Sequence, residues 1–389
     1  MQPPGSDIRA EIARRGTVTF ARFMELALYA PGSGYYERLR EIGRLGDFFT
    51  SVSVGPVFGG LLACQFAKWL EQIPPAASGR RQLVEAGAHD GQLALDVLGW
   101  LRRRRPDVFD TVDYWIIEPS PIRQAWQQKR LTEWPNAKWA ADLGELGAGQ
   151  VHGVIFSNEL LDAMPVHRLA WDAASNTWME WSVGWWDEQF VWQKTALSKE
   201  ATAGLRAYPG PASIGGTNPS SHCVGRGEQK EGGAIPTDLE AVLPDGFILE
   251  ISPAAAHWWT RAAGALASGK LLAVDYGFGE GGWLRPENVS GTLRAYCGHH
   301  VGDSLLQNPG GQDITAHVNF SGVQGAGEAA GLRTEAFVGQ SKFLMEIFQR
   351  GLPDRVGFQE WNPAEIRQFQ TLIHPEHLGH RFRVLVQAR

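Results

Sequence analysis

Residues 82–98, QLVEAGAHDGQLALDVL, constrain this chain more than any other stretch. An apolar run enters a turn of Gly87, Ala88, His89, Asp90 and Gly91, and a helical pattern follows at once. A second apolar run, YWIIEPSP, then ends on Glu118. A strand, a glycine turn and a helix, followed by a strand closing on an acid, is how an open α/β sheet holds an adenosine-containing ligand. The glycines admit backbone to the ligand, the helix N-terminus offers unpaired N–H groups, and the carboxylate accepts from ribose hydroxyls. These features serve S-adenosylmethionine and NAD equally.

The chemistry of the turn separates the two. A dinucleotide fingerprint keeps its middle glycine so that backbone can approach the pyrophosphate. His89 stands there instead, followed by Asp90, a carboxylate that two phosphates would repel. S-adenosylmethionine has no phosphate, and its sulfonium and ammonium tolerate acids. The turn therefore favours S-adenosyl-L-methionine over NAD or FAD, with a purely structural strand–turn–helix as the bland alternative.

The rest of the chain is that of an ordinary globular protein. With 389 residues and 43% hydrophobic residues it can build a full α/β domain plus an insertion. Acidic residues outnumber basic ones 42 to 36, so no global positive field argues for nucleic acid. Cys64, Cys223 and Cys297 are far apart and odd in number, which fits a reducing compartment. No apolar run reaches the length of a membrane span. The stretch MQPPGSDIRAEIARRG has no apolar leader segment and carries acids, so a cytoplasmic protein is expected. His374, His377 and His380 spread around a helix interrupted by Pro375, so no metal site is expected.

Periodicity predicts an α/β fold. Residues 1–75 read as a helical N-terminal region, including helices over 20–28 and 57–73. From 76 to 389 the pattern alternates: strands at 81–86, 113–118, 137–140, 151–158, 270–277, 334–339 and 382–387, with helices between most of them. A brief helix is expected after residue 158. Residues 166–252 read as an antiparallel β insertion crowded with tryptophans, whose cross-strand packing explains most of them. Within it, residues 203–235 are rich in Gly, Pro and Ser and read as a long mobile loop. Seven core strands result, with the alternation breaking only at the end.

Ligands in such a sheet sit beyond the carboxyl ends of the strands. The ends here are Glu85, Glu118, Asn158-Glu159 and Asp275-Tyr276. Any one acid could merely favour a helix N-terminus, but all four ends are polar where apolar runs stop.

SNELLDAMPVHRL, residues 157–169, resembles the signature of the MidA family of S-adenosylmethionine-dependent methyltransferases. PGSGYY, GDFFTS, LEISP, VDYGF, GTLRAY and PGGQDITAHVNF are similar to family blocks and fall in family order. The resemblance implies a Rossmann-like class I methyltransferase sheet of seven strands, covered by the N-terminal region. It implies a protein substrate, an arginine side chain on a respiratory-complex subunit, and it leaves a homodimer open. Carried onto this sequence, Glu85, Gly87, His89 and Gly91 belong to the cofactor loop, with Glu118 for the ribose and Asp142 for the adenine. Asn158, Glu159 and Asp162 would line the acceptor side as catalytic residues, and Asp47 and Thr50 of GDFFTS would close the site.

The residue chemistry is compatible. Transfer of a methyl group from a sulfonium is an in-line displacement, and the protein's task is to position the nucleophile. Carboxylates such as Glu159 and Asp162 can hold a guanidinium by paired hydrogen bonds. The chain departs from the family at His89, Val52-Ser53, Gly60, His317 and Asn319, several of which stand where acids are common. The alternatives are a small-molecule or peptide methyltransferase diverged within the family, or a non-catalytic assembly factor that binds the cofactor.

Overall fold

A computed structural model describes residues 5–38, 50–208, 240, 242–297, 300–302, 304–351, 361–379 and 381–389. The main sheet is built from β1 (Arg81–Ala86), β2 (Val112–Ile117), β3 (Ala137–Ala140), β4 (Val151–Asn158), β5 (Leu266–Phe278), β6 (Arg333–Gly339) and β7 (Phe382–Ala388). Its order is β3-β2-β1-β4-β5-β7-β6, all parallel except β7, which runs antiparallel between β5 and β6. This is the class I methyltransferase topology expected. A short additional strand, Val318–Asn319, pairs with the end of β5.

Strand alternation divides the core into two layers. Leu83, Phe156, Leu272 and Val274 face helices Val57–Gln72, Gln92–Arg104, Gln340–Gly351 and Pro363–Ile373. Val84, Ile155, Leu271 and Ala273 face helices Pro253–Ala265 and Phe320–Ala329. A parallel sheet covered on both faces needs such continuous apolar runs, and the last two helices of the first layer were not anticipated from the sequence.

Gly60 acquires a structural reason. A Cβ there would lie 2.9 Å from Trp100 of the neighbouring helix, and one at Gly59 would lie 2.5 Å from the Asp96 Cβ. The pair lets two helices touch closely, so an acid at position 60 has no room. Asn319 is likewise a helix cap, its Oδ1 accepting the Gly322 N–H at 3.4 Å.

The insertion is a second, antiparallel sheet of His167–Asp172, Thr177–Trp186, Gln189–Thr195 and Ile248–Ile251. Val18–Thr19 adds one more strand to it, an element the sequence reading did not anticipate. Helices Ser6–Arg15 and Phe20–Tyr29 pack on this sheet through Ile8, Ile12, Phe20, Phe23 and Val183. The predicted loop 203–235 is corrected at its start, where residues 203–206 complete helix Lys199–Arg206; the segment from 209 to 235 lies outside the described residues. A small third sheet, Arg294–Cys297 with His300–Gly302 and Asp313–Thr315, was also missed. Among the described residues no helix is long and apolar enough to cross a membrane.

Candidate active site

Register brings the strand ends into line. Ala86 is level with Ile117 and Ser157, and Asn158 with Val274, so Gly87, Glu118, Glu159 and Asp275 emerge along one edge of the sheet. A cleft of about 1710 Å³ opens there, lined by Glu85, Gly87, His89, Glu118, Asp142, Asn158, Glu159, Asp162 and Thr50 among others. Ligand pockets typically hold ~300–1,000 Å³, so this cleft has room for two molecules. Of the predicted site residues, Asp47 lies outside the described residues. Gly91 does not line the cleft; with φ 85° it caps helix Gln92–Arg104, its Cα side against Gln127.

The turn after β1 is left-handed at Gly87 (φ 80°) and at His89 (φ 45°). A side chain at Gly87 is opposed by this φ and by Leu160, whose atoms lie 3.1–3.2 Å from where its Cβ would be. Glu85 is buried beneath the turn and accepts from Tyr114 Oη at 2.6 Å; burial raises its carboxyl to about 8. Asp90 accepts the Gln92 N–H at 3.1 Å and pairs with Arg130, which makes it a cap for the helix.

Glu118 is buried and already partnered. Its Oε1 accepts from the Ser120 N–H and from Arg123 Nε, both at 2.9 Å, while Oε2 accepts only from Gln127 Nε2 at 3.2 Å. Oε2 therefore retains acceptor capacity toward the cleft. Asp142 is more fully engaged: Arg261 grips both its oxygens, and Oδ1 also accepts the Gly144 N–H at 2.7 Å. Those bonds, Arg261 foremost, hold its carboxyl below the usual range.

No helix follows β4, contrary to expectation. The segment Glu159–Asp162 is instead a turn wrapped on Asp275, whose Oδ2 accepts the N–H groups of Leu160 (3.1 Å), Leu161 (2.8 Å) and Asp162 (3.4 Å). Oδ1 takes the Tyr276 N–H at 2.8 Å. Asp275, one of the strand-end candidates, thus builds the site rather than facing a ligand. The turn forces Glu159 into the left-handed region (φ 52°), strain that non-glycine residues carry mainly where function needs it.

Glu159 Oε1 accepts from Asn158 Nδ2 at 3.1 Å and from the Ser51 N–H at 3.3 Å. Burial first, then Asp275, raises its carboxyl to about 8. Asp162 is pushed well above the ordinary range by burial and by Asp275, Glu159 and Asp313. Asp313, from the small third sheet, accepts from Tyr36 Oη at 2.7 Å. Tyr29, stacked on Tyr36 with ring centroids 5.5 Å apart, donates to the Ala163 carbonyl at 2.9 Å. Tyr276 and Tyr296 complete the wall. The sequence reading missed Tyr29, Tyr36, Tyr296, Asp313 and Arg123, because a single polar or aromatic residue carries no pattern that marks it as lining a site. Three had been inside quoted blocks, Tyr36 in PGSGYY, Tyr296 in GTLRAY and Asp313 in PGGQDITAHVNF, without a role.

These residues fit S-adenosylmethionine. The left-handed turn leaves backbone open at Gly87, while His89 Nδ1 and Asn158 Oδ1 are buried without a hydrogen-bond partner. Unpartnered buried polar atoms at a cleft are what a ligand would satisfy. Oε2 of Glu118, which keeps acceptor capacity, suits a sugar diol along this half. Among the described residues no group of three or more His, Cys, Asp or Glu could hold a metal ion.

Comparison with known proteins agrees. Residues 61–338 match the model of a family described as S-adenosyl-L-methionine-dependent methyltransferase. Protein arginine methyltransferase NDUFAF7, mitochondrial, of Mus musculus is 25% identical over 96% of this chain and 81% of its own length. The Drosophila melanogaster homolog of that name is 25% identical over 97% of this chain and 83% of its own. A crystal structure of a COG1565 superfamily member from Burkholderia thailandensis, bound to S-adenosyl-homocysteine, superposes with a TM-score of 0.78. It is 28% identical and covers 99% of this chain and 91% of its own.

Proposed function

Because the chain belongs to this family of S-adenosyl-L-methionine-dependent methyltransferases, we propose that its acceptor is an arginine side chain of a protein. The observation that carries this reading is the cluster of half-buried Glu159 with buried Asp162 and Asp313 among Tyr29, Tyr36, Tyr276 and Tyr296, beside the Gly87 turn. Several carboxylates facing a shared space repel one another unless a cation enters, and aromatic faces favour the same charge. A guanidinium supplies a permanent positive charge with donors in a planar fork. The mouse and fly relatives are named protein arginine methyltransferases, which supports the same acceptor.

Bound S-adenosylmethionine supplies an electrophilic methyl group on its sulfonium. The Gly87–Asp90 turn, Oε2 of Glu118 and Asn158 would hold that cofactor. Asp142, engaged with Arg261, can contribute to the adenine end only through a shared carboxylate. Glu159 and Asp162 accept N–H bonds from the guanidinium and fix the attacking nitrogen in line with the methyl group. Methyl transfer would form the N–C bond as the sulfonium S–C bond breaks, S-adenosylhomocysteine leaving with the bonding pair, and the Glu159 carboxylate would take the proton released from the guanidinium. Thr50, which lines the cleft, belongs in this reading to the cofactor side.

The test is incubation of the purified chain with methyl-labelled S-adenosylmethionine and lysate of its host, followed by acid hydrolysis of labelled protein. Label in methylarginine is the expected result. Label in another residue or in small molecules overturns the acceptor, and binding of cofactor without any transfer marks a binding factor instead.

A further inference from the structure

The cleft carries its charges in order. Its deep acceptor half is acidic, with Asp162 and Asp313 buried. Its outer part is basic: Arg294 and Arg381 both line the cleft and are exposed. Arg294 spends one donor on its neighbour's carbonyl, Leu293, at 2.7 Å, and among the described residues neither guanidinium pairs with a carboxylate. Every other arginine that lines this cleft, Arg123 and Arg130, is paired, with Glu118 and Asp90.

The spacing follows from two strands. On the small sheet, Tyr296 is opposite Asp313 and Arg294 opposite Thr315, and all four line the cleft. Residues two apart on a strand share a face and stand about 7 Å apart. On the main sheet, Arg381 immediately precedes Phe382, the partner of Tyr276, beside the acid-bearing end of β5. His317 lies in the same field: burial first, then Arg294 and Arg381, push its imidazole down to about 4. Unpaired cations at the mouth of an acidic pocket favour a molecule carrying both signs, positive inward and negative outward.

Resting on the arginine reading above, we propose that Arg294 and Arg381 bind a carboxylate of the acceptor, one that lies within a few residues of the methylated guanidinium. The residue entering the pocket is then selected together with an acidic neighbour. The same chemistry has two sources, an Asp or Glu flanking the arginine in a protein or the α-carboxylate of free arginine. The acid-flanked protein segment is the one that the exposed position of both guanidiniums accommodates.

The experiment titrates the full chain, saturated with S-adenosylhomocysteine, with acetylated and amidated nonapeptides centred on arginine. Each flanking position is Glu in one peptide and Gln in its twin. At one or more positions the Glu peptide is expected to bind about 5- to 30-fold more tightly at low ionic strength, with the gap shrinking in salt. Arg294→Gln and Arg381→Gln together should erase the gap. Arg294→Glu with Arg381→Glu should turn the preference to Lys-flanked peptides, which a merely unfolded protein cannot show. L-arginine binding more tightly than L-argininamide, with no Glu effect, assigns the carboxylate to the free amino acid and retains the site. Equal binding of all Glu and Gln twins, together with equal binding of arginine and argininamide, overturns the inference, as does a preference that survives the double Gln variant. Citrulline-centred peptides that bind as well as arginine ones, or no binding by any peptide, overturn the arginine reading itself.

Discussion

Asp275 Oδ2 accepts the N–H of Leu161 at 2.8 Å, reaching from β5 to the turn that leaves β4. The same oxygen also takes the N–H groups of Leu160 and Asp162, so one carboxylate fixes the backbone that aims Glu159 and Asp162. Asp275→Asn keeps the shape but replaces one acceptor oxygen with a donor. We expect a stability loss of about 1–3 kcal/mol from the unsatisfied N–H groups. We also expect kcat to fall more than the KM for S-adenosylmethionine rises, because the acceptor side is what moves. Melting curves and steady-state kinetics with each substrate varied check both; unchanged kcat would show that the turn is held by other means.

The buried acids make stability depend on pH in a definite direction. Burial raises Glu85 and Glu159 to about 8 in the folded chain, from ordinary carboxyl values near 4.5 when unfolded. Across that interval the folded state holds protons that the unfolded state has released, so stability falls as pH rises. Without ligands, the melting temperature should therefore decline from pH 5 to pH 8, and Glu159→Gln should flatten part of the decline. Melting curves at stepped pH read this directly, and a temperature that rises with pH would contradict the burial of these groups.

A guanidinium remains charged throughout this range, so its binding depends on the pocket's carboxylates alone. Acceptor peptide affinity should increase with pH toward about 8, where Glu159 loses its proton. The gain is at most about tenfold per pH unit for each proton released. Calorimetric titration in two buffers of different ionisation heat would count the protons; no release would exclude Glu159 as the guanidinium's partner.

The fold was largely legible because its elements are long and periodic. β1, β3 and β4 were expected with the bounds observed. The site was legible where strands end, at Glu85, Glu118 and Glu159. It was not legible where one residue's role depends on another distant in sequence. Nothing near Asp142 announces Arg261, 119 residues away. The brief helix expected after residue 158 was wrong for a similar reason. Polar residues there suggested a cap, but Asp275, from a strand more than a hundred residues later, supplies the acceptors that a helix would otherwise provide.

Gly87 tests the cofactor half. Gly87→Val meets both a left-handed φ of 80° and the Leu160 side chain, so the turn must shift. In wild type, S-adenosylhomocysteine should raise the melting temperature by mass action and NAD should not. In Gly87→Val the chain should lose about 1–2 kcal/mol from the backbone strain, and the S-adenosylhomocysteine shift should vanish. A variant that keeps the full shift would place the cofactor away from this turn.

Glu159→Gln separates chemistry from architecture. Glutamine retains a carbonyl oxygen for the Ser51 N–H and the Asn158 amide, the two bonds Glu159 makes with its side chain. It loses the charge that holds a guanidinium and the oxygen that takes the departing proton. Each charge-assisted bond is worth about 1.5–3 kcal/mol, and general-base assistance about 10²–10⁴ in rate. The variant should therefore bind S-adenosylhomocysteine nearly as wild type does, by its melting shift, while methyl transfer falls by at least about a hundredfold. The strained φ of 52° remains in the variant, so stability alone should change little at low pH and improve near pH 8, where the wild-type carboxyl is charged without a partner. Transfer at the wild-type rate would remove Glu159 from the reaction and leave Asp162 and Asp313 as the carboxylates that face the acceptor.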